Sequence, residues 1–231
     1  LSSQGKKVAL IEKSKSMYGG TCINIACIPT KTLIVAAEKG LDFEQAMNEK
    51  NAVTTRLNGK NYATIAGTGV DIIDATARFL SNKVIEIQAG EEKEELTAET
   101  IIINTGAVPT ILPIPGLAES KFAVDSTCIQ RLENLPKRLG VLGGGPIGLE
   151  FAHLYNTLGS QVTVLDAAET FLPRIEPSIA ALAKGYLEED GIQFLQGVHT
   201  QEIKDGEASV TVVTDKGDFE FDILLYATGR K

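Results

Sequence analysis

Two cysteines five positions apart, Cys22 and Cys27, lie in the run Gly19-Gly20-Thr21-Cys22-Ile23-Asn24-Ile25-Ala26-Cys27-Ile28-Pro29-Thr30-Lys31. A thiol pair so close, beside two glycines and followed by a lysine, suits a disulfide that opens and closes reversibly. In a regular α-helix, Cα atoms five residues apart are about 8.6 Å from one another, whereas a disulfide needs them within roughly 7 Å. The spacing therefore predicts a distorted first turn, and Pro29 is tolerated at a helix start. A helix N-terminus and Lys31 would both favour the thiolate, the reactive form of cysteine. Two other readings stand beside this one: buried structural thiols, or half of a zinc site. Zinc sites bring further ligands at matched spacing. Only Cys128, His153 and His199 remain, each alone in the sequence, so no metal is expected. Cys128 reads as a small buried hydrophobe.

A second run carries a different chemistry. Gly143-Gly144-Gly145-Pro146-Ile147-Gly148 fits G-x-G-x-x-G, with a short strand before it and a helix to about Leu158 after it. Gly143, Gly145 and Gly148, with Ile147 among them, would bring backbone and a helix N-terminus against a pyrophosphate. The next strand ends in Asp166, about 20 residues beyond Gly145, as in a dinucleotide-binding unit. A carboxylate there suits two free ribose hydroxyls and repels a 2′-phosphate, which favours NADH over NADPH. Ala167 and Ala168 offer no phosphate clamp, and Arg174 lies some way on.

The elements that position these residues come in repeats. Gln4 to Glu12 matches Leu158 to Asp166, each a helix ending at glycine and then a buried parallel-type strand ending in a carboxylate. Laying the first copy on the second puts its glycine fingerprint ahead of residue 1. The chain is thus expected to start inside a first nucleotide-binding helix. Likewise Ile101-Ile102-Ile103-Asn104-Thr105-Gly106 resembles Leu224-Leu225-Tyr226-Ala227-Thr228-Gly229. Both read as buried strands ending in a tight Thr-Gly turn that lets backbone approach a ligand. Residues 32–60 read as helical, 69–103 as short strands with turns at Ser81-Asn82 and Ala89-Gly90. Prolines 109, 113 and 115 mark a connection. A helix at 176–190 and strands from 192 to 224 follow.

The composition fits a globular chain, with 43% apolar residues and a net charge of −8. Without a basic cluster, nucleic acid and anionic membrane surfaces are not expected partners. No apolar stretch is read as approaching 18 residues, and no signal peptide opens the chain. Three cysteines including a reactive-looking pair suit a reducing, cytoplasmic compartment.

The cysteine run resembles the active-site signature of the FAD-dependent pyridine nucleotide-disulfide oxidoreductases, and the later motifs follow in that family's order. Its wording, and Phe171-Leu172-Pro173-Arg174, resemble the reactive-chlorine-resistance branch most, with mercuric reductase and dihydrolipoamide dehydrogenase next. Ala26 stands where the family usually has glycine, and Asn104 replaces an alanine. The resemblance implies an α/β fold of two Rossmann-like nucleotide-binding domains, parallel sheets with helices and β-meander insertions. It places an FAD domain at 1–120 and an NAD domain at 121–231. It further implies a fragment lacking both ends, without the dimerisation domain of a homodimer and without the catalytic histidine that domain supplies.

By the same resemblance, Cys27 is the flavin-proximal thiolate and Cys22 the thiol that exchanges with substrate. Lys31 stabilises negative charge on the reduced flavin, paired with Glu150. Glu12 accepts from the FAD ribose, and Gly20, Thr21, Thr105 and Gly106 surround that cofactor, with Ala77 touching adenine and Gly229 in the second turn. The implied reaction passes a hydride from NADH through FAD to a Cys22–Cys27 disulfide and on to a small thiol, disulfide or metal ion. A non-catalytic NADH-binding or redox-sensing module is the alternative.

Overall fold

The computed structural model describes residues 1–231. They form two compact units, one of Leu1–Ile28 with Asn51–Gly106, the other of Pro29–Lys50 with Ala107–Lys231. Residues 29–50 and 107–120 thus group with the nucleotide-type half of the chain rather than with the first 28 residues.

In the first unit, β1 (Ala9–Glu12) pairs in parallel with β2 (Asp71–Asp74). A short α1 (Gly20–Asn24) precedes α2 (Cys27–Glu38), which continues into the second unit, while α3 (Phe43–Ala66) returns from it. An antiparallel meander of β3 (Thr76–Ser81), β4 (Val84–Ala89) and β5 (Glu92–Thr97) completes this unit. The expected single helical stretch is broken after Glu38 because Asp42 and Gln45 restart a helix. Asp42 Oδ1 accepts from the Gln45 amide at 2.9 Å, and Gln45 Oε1 from the Asp42 amide at 3.2 Å. This reciprocal pair satisfies two backbone donors at a helix start.

Two expectations fail here. β1 is only partly buried, because its sheet has two strands and a single paired edge. Residues 101–106 form no strand, and Ile102 and Ile103 are 71% and 69% exposed. They have no paired neighbour, so no sheet face covers their side chains.

The second unit holds a five-stranded parallel sheet in the order β6-β13-β7-β8-β9. Its strands are β6 (Ala123–Val124), β7 (Arg138–Leu142), β8 (Gln161–Asp166), β9 (Gln193–Gln196) and β13 (Ile223–Tyr226). A β10-β11-β12 meander (Thr200–Asp205, Val210–Thr214, Gly217–Phe221) is inserted before β13, and α4 (Pro146–Thr157) and α5 (Pro177–Glu189) are the crossover helices. Leu139, Val141, Val162 and Val164 are buried in one cluster, which also takes in Leu33 and Ala36 of α2 and Phe151, Leu154 and Tyr155 of α4. Leu142, Leu165 and Leu224 belong to a second cluster, with Ile203, Val212 and Phe221 of the meander. Strands so covered on both faces read as near-continuous apolar runs, as parallel strands do.

Taken together, residues 20–38 are long and apolar enough to cross a membrane, contrary to the sequence reading. In the structure they are two helices separated at Ile25-Ala26, and Leu33, Ala36 and Ala37 are buried in the core. The break leaves helices of 5 and 12 residues, each shorter than the roughly 20 residues a membrane span needs.

Candidate active site

The cysteines sit astride that helix break. Cys22 lies in α1, Ile25 leaves the helix with φ −141° and ψ 1°, and Cys27 opens α2. The distortion expected from their spacing is therefore present. Both are free, exposed thiols, and the Cys22 side chain hydrogen-bonds the Cys27 sulfur. This bond is the first cause that pushes the Cys22 thiol above its ordinary value, followed by burial and by the charge on Cys27. The backbone amides of Cys27 and Ile28 pull the other way, as a helix N-terminus should, but they are outweighed. The expected easing of ionisation is thus corrected for Cys22: a sulfur that shares its proton with a neighbouring sulfur holds that proton longer.

What fixes α1 was not read from the sequence. Asn24 Nδ2 donates to the carbonyls of Tyr18 at 3.0 Å and Gly20 at 2.8 Å. Asn58, from α3, donates to Tyr18 O at 3.2 Å and Asn24 Oδ1 at 3.1 Å. The buried Tyr18 hydroxyl donates to Asp74 at the end of β2. Burial, then this bond, pushes the Tyr18 phenol up to about 12. Asn24 stood within the cysteine run, but Asn58 looked like one more polar residue on a helix.

Around this segment, the expected flavin-contacting residues other than Lys31 share the first unit. Glu12 ends β1, and its Oε1 accepts from the Ser14 amide at 3.0 Å. The Ala75 amide donates to Glu12 O at 3.1 Å, just before β3 begins and two positions from Ala77. A Cβ on Gly20 would meet nothing within 4 Å, and one on Gly106 would come 3.3 Å from Thr21 Oγ1. Thr105 and Gly106 therefore lie beside Thr21, with open space over Gly20. This exposed glycine-threonine surface fits a cofactor bound through backbone contacts.

In the second unit, the glycine run joins β7 to α4 at the carboxyl ends of the strands. The Gly143 amide donates to Leu165 O and the Ala227 amide to Leu142 O, each at 2.8 Å, which wedges the turn between β8 and β13. A Cβ on Gly148 would lie 2.1 Å from Gly143 O, so α4 can approach the turn only with glycine there. A Cβ on Gly145 meets nothing. Gly145 is the N-cap of α4, followed by Pro146 and Ile147, and no side chain caps the helix. By contrast, α5 is capped by Glu176, which accepts from the Ser178 and Ile179 amides. An uncapped helix start above open space fits a phosphate.

Asp166 ends β8 in the matching place to Glu12, and accepts from Gly144 N at 3.1 Å and Ala168 N at 3.0 Å. Past the β13 end, Gly229 turns with φ 108° and its carbonyl accepts from Thr110 N at 2.9 Å. Lys31 of α2 and Glu150 of α4 meet at 2.6 Å, both partly exposed and both in the second unit. The ion pair expected between 1–120 and 121–231 is therefore present, but within one compact unit. His153 approaches Asp190 at 3.7 Å, and no group of three or more His, Cys, Asp or Glu could hold a metal ion.

A family model described as pyridine nucleotide-disulphide oxidoreductase matches residues 1–231. The chain belongs to that family. It is 42% identical over 232 residues to the probable pyridine nucleotide-disulfide oxidoreductase RclA of Escherichia coli K12, covering 100% of this chain and 53% of that protein. A dihydrolipoyl dehydrogenase of Bacillus subtilis is 32% identical over 254 residues, covering 99% of this chain and 54% of its own. The solved HOCl-induced flavoprotein disulfide reductase RclA from Escherichia coli superposes with a TM-score of 0.95 at 41% identity, over 100% of this chain and 52% of that one. The chain therefore spans about half the length of the relatives it matches. Its mixed α/β fold with parallel sheets is that of the family's FAD- and NAD-binding domains.

Proposed function

We propose that this chain serves an FAD-dependent, NADH-using oxidoreductase in which Cys22 and Cys27 form the disulfide that is reduced. The observation that carries the reading is the placement of two free, exposed thiols on either side of a helix break, Cys22 in α1 and Cys27 opening α2. FAD, when bound, would supply the hydride relay between nicotinamide and sulfur. Glu12, Gly20, Thr21, Ala77, Thr105 and Gly106 would hold it. Gly143, Gly145, Ile147 and Gly148 would hold the nucleotide pyrophosphate, with Asp166 on the ribose, while Gly229 lets backbone pass close by.

Reduction of the pair takes two electrons and one proton. The S–S bond breaks, and one sulfur takes the proton while the other takes the charge, the raised Cys22 thiol being the better holder of the proton. Lys31, held by Glu150, would place a positive charge for the reduced flavin. The acceptor class we propose is a small thiol, a disulfide or a metal ion. A homodimeric, cytoplasmic enzyme is part of the same proposal, and the cysteine usage supports the reducing compartment.

The test is a thiol count by alkylation and mass on the flavin-loaded chain without oxygen. After mild oxidation, two alkylation sites should vanish, at Cys22 and Cys27, and one equivalent of NADH should restore both. A chain that binds NADH while the oxidised pair stays closed would instead be the binding or sensing module.

A further inference from the structure

Cys22 and Cys27 stand in different helices, so whether their sulfurs meet depends on what holds the first of them. Cys27 opens α2, a helix of 12 residues. Cys22 lies in α1, which has five residues, none of them buried. A helix that short is unstable on its own hydrogen bonds, and burial does not pin it either. Contacts from outside must keep Cys22 in place.

Helix α3 supplies them. Asn58, Asn61 and Tyr62 lie three and four positions apart and so share one face of that helix. This face meets the segment leading into α1. The Tyr62 and Tyr18 rings are 4.9 Å apart, centroid to centroid. A Cβ on Gly19 would come 2.9 Å from Asn61 Nδ2, so the chain passes α3 closely enough to require glycine there. Asn58 Nδ2 donates to Tyr18 O at 3.2 Å and to Asn24 Oδ1 at 3.1 Å. Asn24 is the last residue of α1, and its own amide donates to Tyr18 O at 3.0 Å and Gly20 O at 2.8 Å. Asn58 thus grips the approach to α1 and the side chain that closes it, on either side of Cys22. Tyr18 is a firm anchor, buried and with its hydroxyl on Asp74. All of these residues belong to the first unit.

We infer that Asn58 is a positioning residue for the redox pair: by fixing α1 in the reduced chain, it favours closing of the Cys22–Cys27 bond. The argument is entropic. In the oxidised chain the S–S bond itself holds Cys22 beside Cys27, with or without the clamp. In the reduced chain the clamp does so, and a Cys22 released from it must be recaptured before the bond can form. Loss of the clamp therefore shifts the balance toward the dithiol. The inference rests on the proposed function only in taking these two cysteines as a pair that closes.

Thiol–disulfide exchange with glutathione, on the full chain without oxygen or nicotinamide, tests it. Two electrons pass from the Cys22 and Cys27 thiols to oxidised glutathione. Its S–S bond breaks as theirs forms, and the two thiol protons end on two reduced glutathiones. Alkylation and peptide mass give the closed fraction at each glutathione ratio, and hence the equilibrium constant. Asn58→Ala and Asn58→Leu remove both donated bonds and should lower that constant roughly five- to thirtyfold, the size of one to two net hydrogen bonds. Asn61 donates to Leu57 O of its own helix at 2.8 Å. Asn61→Ala should accordingly stay within about twofold of the parent. Circular dichroism checks that each variant is folded at the temperature of the exchange. Asn58→Leu keeps the bulk of the side chain, so an unchanged constant there overturns the inference and leaves Asn58 a space filler. A shift in Asn61→Ala equal to that in Asn58→Ala overturns it too, tracing the effect to helix packing at large. A parent chain whose pair never closes defeats the proposed function and this inference together, whereas closing that is indifferent to Asn58 defeats this inference alone.

Discussion

Lys31 Nζ lies 2.6 Å from Glu150 Oε1, joining the middle of α2 to the middle of α4 across residues separated by more than half the chain. The two side chains are 57% and 43% exposed, and a pair so open to water contributes no more than about 1 kcal/mol to stability. Glu150→Ala should therefore shift the melting temperature by only a few degrees. If the pair serves to aim a positive charge, the same change should slow disulfide opening by NADH at least tenfold in the flavin-loaded chain. Equal and small effects on both measurements would leave Lys31 and Glu150 as an ordinary surface pair.

Gly148 and Gly145 separate packing from binding within one motif. At Gly148, a Cβ 2.1 Å from a backbone carbonyl forces α4 off its turn, an overpacking that costs about 1–3 kcal/mol. Gly148→Ala should lower the melting temperature by several degrees and weaken NADH binding together. Gly145 has φ −78° and an open Cβ direction, so Gly145→Ala should melt like the wild type. Its methyl would stand where the pyrophosphate approaches, and NADH affinity measured by calorimetry should fall about tenfold or more. Unchanged affinity in Gly145→Ala would move the phosphate away from this turn.

Asp166 has both carboxylate oxygens engaged by backbone, through Gly144 N and Ala168 N. It braces the glycine turn as well as offering lone pairs to a ribose. Asp166→Ala should weaken NADH binding, yet weaken NADPH binding less, because a negative charge facing the 2′-phosphate is gone. We expect the ratio of the two dissociation constants to narrow by about tenfold. A uniform loss for both nucleotides would assign Asp166 to bracing alone.

These relationships differ in how openly the sequence carried them. The β7-turn-α4-β8 unit was legible because every piece is local: a strand of buried residues, glycines that alone fit, a helix stop at Gly159 and an acid at the strand end. The break between Cys22 and Cys27 was legible from covalent reach. Ile101 to Ile103 misled, since an apolar run shows a capacity to pair but not whether a neighbour is there. The clamp of Tyr18, Asn58 and Asp74 could not be read, because it joins residues 40 and 56 positions apart through side chains of unremarkable type. Residues 29–50 joined the second unit through the burial of Leu33, Ala36 and Met47 beside Ile129 and Tyr155, contacts that no local pattern announces.

The contact between the sulfurs makes the last prediction one of pH. Cys22 is held above its ordinary value chiefly by its hydrogen bond to Cys27. Only thiolate is alkylated at an appreciable rate, so in the reduced chain the Cys22 rate should rise with pH later than that of an unperturbed cysteine, near 8.5. Cys27→Ala deletes the hydrogen bond and the neighbouring charge but leaves the amides of residues 27 and 28, which pull the value down. The Cys22 profile should then move to lower pH, so that at pH 7 it reacts faster than in the parent chain. Rates of iodoacetamide modification, resolved by peptide mass across pH 6 to about 10, decide the matter. A profile that stays in place or moves upward in Cys27→Ala would show that burial, not the partner sulfur, sets the behaviour of Cys22. The part given to the partner sulfur in holding the proton on Cys22 would fall with it.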